Sequence, residues 1–247
     1  MLSANIFRML EESKYTVAMC GIEMLHENGY SRLRDGEAAY DIEQKYGYSM
    51  EEILSSTFYA TRKDLFFDFY KKEILAQTDI PPGKGYLYLQ KLEEYGLVQC
   101  EITRRIFGLL ERAGCKHVVN LHGSVYDNFC THCGRRYSIE YVRTSKGVPL
   151  CERCENPIRP GICLYGEMVD NGLITKAAEE IQKADLLLVL GSPLHAGLCH
   201  QMIKYYNGSK LILITSGEHF SDKMADLVVY SRVDDFLEKL VMEYQGR

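Results

Sequence analysis

The sequence predicts an α/β fold, a parallel β-sheet with helices on both faces, and three observations predict it. Leu186–Leu190 reads LLLVL, an unbroken apolar run of strand length, as a strand buried on both sides requires. Shorter apolar segments at 15–19, 118–121, 211–214 and 227–229 alternate with helix-length stretches, the pattern of repeated β-α units. Small residues follow three of these segments, at Gly21, Gly191-Ser192 and Thr215-Ser216-Gly217. Parallel sheets bind ligands at those carboxyl ends.

Taken in order, residues 2–13 form a helix with Ile6, Met9 and Leu10 on one stripe, and 15–19 form the first strand. Residues 37–75 read as helical, with Ile53, Leu54, Phe58, Leu65, Phe66 and Phe69 at helical spacing. The run Asp79-Ile80-Pro81-Pro82-Gly83 breaks that pattern. Residues 86–95 are helical and lead through Gly96 into 97–100, and 106–112 form a helix stopped by Gly114. Segment 161–165 is extended. Helices follow at 174–183, 195–207 and 233–244, set between the strands at 186–190, 211–214 and 227–229.

Composition narrows the class. Net charge is −5, with 46 % apolar and 26 % charged residues among 247, ordinary values for a globular chain. These exclude a disordered tail, a collagenous repeat and a strongly basic nucleic-acid coat. The longest apolar run is far below the ~18–20 residues that cross a bilayer, so no membrane partner is expected. The first ten residues lack a basic region followed by an apolar core. Nine Cys without such a leader point to reduced thiols and a cytoplasmic setting.

Cys130-Thr-His-Cys133 and Cys151-Glu-Arg-Cys154 give two C-x2-C pairs. Each pair can bite one tetrahedral ion from a single turn, and four thiolates leave no open position, so the expected Zn2+ is structural. Between Asp127 and Glu155 five basic residues face four acidic ones, which gives nucleic acid no basic footprint. Cys20, Cys100, Cys115, Cys163 and Cys199 are scattered and read as small buried hydrophobes.

A family resemblance rests on five segments in register. They are Leu121-His122-Gly123-Ser124, the two Cys pairs, Arg159-Pro160 through Tyr165-Gly166-Glu167, and Ala184-Asp185 through Gly191-Ser192. Their order resembles the sirtuins, NAD-dependent protein deacylases, over roughly residues 14 to 240. The resemblance implies a Rossmann-like large domain made of 1–30, 81–125 and 161–247. It also implies a small domain with a helical part at 31–80 and a zinc module at 126–160. It implies His122 as the base toward a ribose hydroxyl, a task suited to a neutral imidazole. Ile162, Tyr165, Gly166 and Glu167 then line the acyl-lysine tunnel, where an acylated peptide adds as a strand.

The sequence departs from the family where the cofactor binds. The family's Gly-Ala-Gly-Ile-Ser loop reads Met19-Cys20-Gly21-Ile22-Glu23, so Gly21 alone keeps its place. Arg34 ends a segment similar to the family's Gly-Ile-Pro-Asp-Phe-Arg, two residues further on. The family's Thr-Gln-Asn-Ile-Asp-Gly reads Thr103-Arg104-Arg105-Ile106-Phe107-Gly108, replacing an amide and a carboxylate by groups that cannot accept hydrogen bonds. Thr215 stands for an asparagine. Gly21, Arg34, Arg104, Arg105, Gly191, Ser192 and Thr215 are therefore the candidate NAD contacts. A Glu23 pair with Arg104 or Arg105 is expected inside the pocket. The expected function is NAD-dependent protein-lysine deacylation, with weak activity or an altered acyl preference. Open beside it stand an impaired nucleotide or ADP-ribose binder and an NAD glycohydrolase or ADP-ribosyltransferase.

Overall fold

The computed structural model describes residues 2–246. The chain begins with α1 (Leu2–Glu12), β1 (Thr16–Cys20) and α2 (Ile22–Glu27). A helical stretch follows, made of α3 (Gly36–Tyr46), α4 (Met50–Ile53), α5 (Ser56–Thr61) and α6 (Lys63–Phe69). It ends in a π turn at Tyr70–Ile74 and a 3-10 turn at Leu75–Asp79. Next come α7 (Lys84–Glu94), β2 (Cys100–Thr103), α8 (Leu109–Ala113) and β3 (Val118–Asn120). An antiparallel region holds β4 (Gly123–Cys130), β5 (Arg136–Tyr137), α9 (Ile139–Thr144) and β6 (Ile158–Ile162). The chain closes through α10 (Asn171–Lys183), β7 (Leu186–Leu190), α11 (Gly197–Ile203), β8 (Leu211–Thr215), β9 (Leu227–Tyr230) and α12 (Val233–Gln245).

The main sheet runs β3-β2-β1-β7-β8-β9, with every neighbouring pair parallel. Its helix-covered faces explain the LLLVL run. Leu186, Leu188 and Leu190 pack with Ile6, Leu237 and Leu240 on one side. Leu187 and Val189 pack with Ala177, Ile181 and Met202 on the other. Each such Leu contributes about 1.5–3 kcal/mol through burial.

Local signals correct several expected elements. Residues 37–75 are not one continuous helix, because Gly47 at φ +75° stops α3 and serines restart the chain. The Ser49 hydroxyl accepts from Glu52 N, and the Ser55 hydroxyl accepts from Phe58 N at 3.1 Å. After Gly96, Leu97 N and Val98 N donate to Leu92 O and finish α7, and β2 starts at Cys100. Gly108 at φ +58° delays the helix expected at 106 until Leu109. Of the extended segment expected at 161–165, residues 161 and 162 end β6, which pairs antiparallel with β4 outside the main sheet.

Two cross-links join the helical stretch to the antiparallel region. Lys71 Nζ donates to Ser145 O at 2.5 Å and Gly147 O at 2.7 Å. From α9, Arg143 Nη1 donates to Asp79 Oδ1 at 2.8 Å and its Nη2 reaches Leu75 O and Thr78 Oγ1.

Candidate active site and zinc centre

The loops after β1 and β7 press together. Gly21 N donates to Leu190 O at 2.7 Å, and Glu23 N donates to Gly191 O at 3.0 Å. A Cβ on Gly21 would lie 2.1 Å from Gly191 O and 2.6 Å from Ser192 Cβ, so this approach requires glycine. Glu23 opens α2 and reaches across the end of β7 to β8. Its Oε1 accepts from Thr215 Oγ1 at 2.8 Å and its Oε2 accepts from Ser216 N at 2.8 Å.

The expected pair between Glu23 and Arg104 or Arg105 is therefore absent. The sheet order supplies the reason: α2 leans toward β7 and β8, whereas the arginines follow β2 on the other side of β1.

Arg104 and Arg105 enter a cleft of about 870 Å³ bounded by the first turns after β2, the helical stretch and the segment after β6. Arg105 N donates to Thr103 Oγ1 at 3.0 Å, while Asn120 Nδ2 donates to Arg105 O at 3.1 Å. Among the described residues neither guanidinium has a carboxylate partner, and Arg105 Nε is buried without an acceptor. Burial, followed by the neighbouring Arg104, lowers the Arg105 pKa to about 10.

His122 borders the same cleft. Its N donates to Asn120 Oδ1 at 3.4 Å and its O accepts from Cys163 N at 2.9 Å. Gly123 at φ +70° lets the strand turn there, since a Cβ would lie 2.0 Å from Gly161 O. Burial first, then Arg104 and Arg105, lowers the His122 pKa to about 4, so its imidazole is neutral at physiological pH.

The outer wall is already hydrogen-bonded. Tyr165 N donates to Leu54 O at 2.9 Å, and Ser56 N donates to Tyr165 O at 2.9 Å. Glu167 Oε2 accepts from Leu164 N at 2.8 Å and from Arg159 Nη2 at 2.6 Å. Arg34 Nε meets Glu51 Oε1 at 2.5 Å, with its guanidinium 5.6 Å from the Tyr165 ring centroid. Phe107 packs its ring 4.6 Å from that of Tyr30, making a dry stretch of wall.

The structure thus gathers His122, Arg34, Arg104, Arg105, Ile162, Tyr165, Gly166 and Glu167 around one cleft. Gly21, Gly191, Ser192 and Thr215 do not line it. Gly21 and Ser192 face a separate void of about 20 Å³, which Arg104 also borders.

In the antiparallel region the four sulfurs of Cys130, Cys133, Cys151 and Cys154 lie within 4.8 Å of one another. Cys130 and Cys154 Sγ are 3.4 Å apart, and Cys133 and Cys151 Sγ 3.6 Å apart. Two tight knuckles bring them together, with Gly134 at φ +71° and Glu155 at φ +57°. This donor set fits a closed tetrahedral zinc ion. Tyr137, which no spacing argument identifies, donates its hydroxyl to Cys151 Sγ at 3.1 Å and holds that thiol's pKa down to about 6.

Comparisons with known proteins agree with this layout. Residues 24–196 match the model of the Sir2 family. A protein of Clostridium acetobutylicum named NAD-dependent protein deacetylase is 32% identical over 235 residues, covering 95% of this chain and 96% of that one. A Thermotoga maritima protein of the same name is 31% identical, with 95% of each covered. A solved structure of Sir2 with a p53 peptide and NAD+ superposes with TM-score 0.84 at 30% identity, covering 100% of this chain and 99% of that one. A structure from work on sirtuin substrate affinity gives TM-score 0.88 at 29% identity, covering 97% and 98%. Among the described residues no helix is long and apolar enough to cross a membrane.

Proposed function

The chain belongs to the Sir2 family, and from that premise we propose that it is an NAD-dependent protein-lysine deacylase acting on acylated peptide segments. One observation carries this reading: a neutral His122 shares a cleft with two arginines that have no carboxylate partner among the described residues.

The residues fit the dinucleotide at its anionic centre. The orphaned guanidinium of Arg105 and its neighbour Arg104 offer donors in the fork geometry that phosphate oxygens accept. Ser192 and Thr215 stand at the strand ends on the adenosine side, where the Thr215 hydroxyl already donates to Glu23. Bound NAD supplies the glycosidic bond that is cleaved and the ADP-ribose that accepts the acyl group.

Each protein group then has a task. His122, unprotonated, takes a proton from a ribose hydroxyl in reach of its ring. Phe107 with Tyr30 keeps water from the wall beside it. Tyr165 and Ile162 flank the path of the acyl-lysine, with Tyr165 fixed through its backbone bonds to Leu54 and Ser56. Glu167 positions this segment through Leu164 N and Arg159 rather than touching substrate. The altered inner wall at Arg105 and Phe107 supports an acyl preference shifted from acetyl, or slow turnover. For the chain as a whole, we read 1–30, 81–125 and 161–247 as the cofactor-binding part, with 31–80 and 126–160 closing over it.

A second reading has its own observation. Arg105 and Phe107 line the cleft with side chains that cannot accept a hydrogen bond from a carboxamide. This supports a chain that retains a nucleotide or ADP-ribose without turning over NAD. Calorimetric titration of the zinc-loaded protein with NAD and with ADP-ribose separates the two. Micromolar NAD binding, with acyl-peptide turnover that vanishes in His122→Ala, is the result expected for the deacylase. ADP-ribose binding without NAD binding selects the second reading, and binding of neither rejects both.

A further inference from the structure

A second group of donor atoms lies away from the cleft, where β2 begins. Glu101 sits on β2 with 0% of its surface exposed, and neither of its carboxylate oxygens makes a hydrogen bond. One donor atom from each of Glu101, Glu93 and Cys115 falls within 4.8 Å of the others. These residues come from three elements: β2, the last turn of α7 and the loop after α8. None of them lines the cleft or contributes to the four-cysteine knuckle.

Two carboxylates this close in a buried setting need a proton or a cation between them. Both Glu101 oxygens are buried without a hydrogen-bond donor. Three donor atoms drawn within 4.8 Å of one another from three elements are an arrangement that a metal ion can bridge. With bonds of roughly 2.0–2.3 Å, the ligand atoms of a tetrahedral zinc stand within about 4 Å of one another.

Glu93 is held ready by its surroundings. Its Oε1 accepts from His117 N at 3.0 Å, its Oε2 accepts from Lys116 N at 2.9 Å, and His117 Nδ1 lies 3.0 Å from Oε1. The His117 imidazole is exposed and marks the way in from solvent. A thiolate, two carboxylates and a nearby imidazole make a borderline-soft set, which favours zinc over magnesium or calcium.

We propose that Glu93, Glu101 and Cys115 form a second zinc site, with its fourth position on the His117 side taken by that imidazole or by water. The ion would pin the end of α7 to β2 and to the start of β3. Binding forms a Zn–S and two Zn–O bonds and releases the Cys115 thiol proton, together with any proton on Glu101, to solvent.

The test counts zinc in the full chain after loading with excess Zn2+ and desalting. Wild type is expected to hold two zinc ions per chain, and Cys115→Ser and Glu101→Gln one each, with the four-cysteine ion retained. One zinc in wild type overturns the proposal, and so does a count of two in both variants. Should the variants not fold, competition of wild type against a chromophoric chelator decides. Two release phases support the second site, and a single phase accounting for one ion overturns it.

Discussion

Glu23 and Thr215, 192 positions apart in the chain, are joined by a 2.8 Å hydrogen bond across the end of β7. With Ser216 N as its second donor, the carboxylate occupies donors at the strand ends that we assign to the adenosine side of a dinucleotide. Glu23→Gln keeps an acceptor for Thr215 and removes the negative charge. NAD or ADP-ribose affinity should rise about tenfold, which corresponds to ~1.4 kcal/mol. Calorimetry on the variant checks this, and an unchanged Kd would mean that the carboxylate lies outside the ligand's path.

The pH response of His122 follows from its surroundings. Burial, then Arg104 and Arg105, favours the neutral ring in the folded state, with a pKa of about 4 against an ordinary 6.5. The unfolded chain therefore binds more protons between pH 6.5 and 4. Stability rises with pH across that window and is lost as pH falls through it. His122→Asn should flatten this part of the stability–pH curve. Arg104→Gln should raise the imidazole pKa, read directly from its NMR titration. A midpoint near 6.5 in wild type would contradict the placement of the ring.

Gly21→Ala tests the contact between the loops after β1 and β7. The new Cβ would overlap Gly191 O at 2.1 Å, and that oxygen belongs to backbone that cannot swing aside. A loss of roughly 1–3 kcal/mol is expected from such overpacking. Chemical denaturation should show the midpoint lowered with the slope unchanged.

Cys130→Ala should release the structural zinc and unfold the antiparallel region. Binding energy at such sites, about 10–16 kcal/mol in isolated zinc-finger peptides, is folding energy. Zinc content and the near-ultraviolet signal of Tyr137 and Tyr141, whose rings lie 4.7 Å apart, report the loss. A folded variant with an unshifted melting temperature would refute a structural role for the metal.

What could be read from the sequence was what neighbouring residues encode together. The Leu186–Leu190 strand needs only its own five side chains to declare burial on both faces, and each zinc knuckle carries two ligands within four positions. The serines that break the 37–75 stretch were also visible, but Ser49 and Ser55 count as caps only once helix starts are known. Glu23 lay beyond reach for a different reason. Its partners depend on β8 lying beside β7, a neighbourhood set by topology rather than spacing. Glu101 hid in the same way, as a charged residue inside a strand whose burial becomes evident only after three elements converge on it.

The cross-links from Lys71 and Arg143 make the helical stretch and the metal-bearing region a single mechanical part. Arg143 hangs from α9, six residues beyond the Tyr137 that braces Cys151, and grips Leu75, Thr78 and Asp79. Those residues continue from Ile74, which lines the cleft together with Gln77. Stripping the knuckle's ion should therefore speed amide exchange over 70–79 as well as around the cysteines. The metal, though it touches no substrate, acts as the anchor bolt for the cleft's far wall.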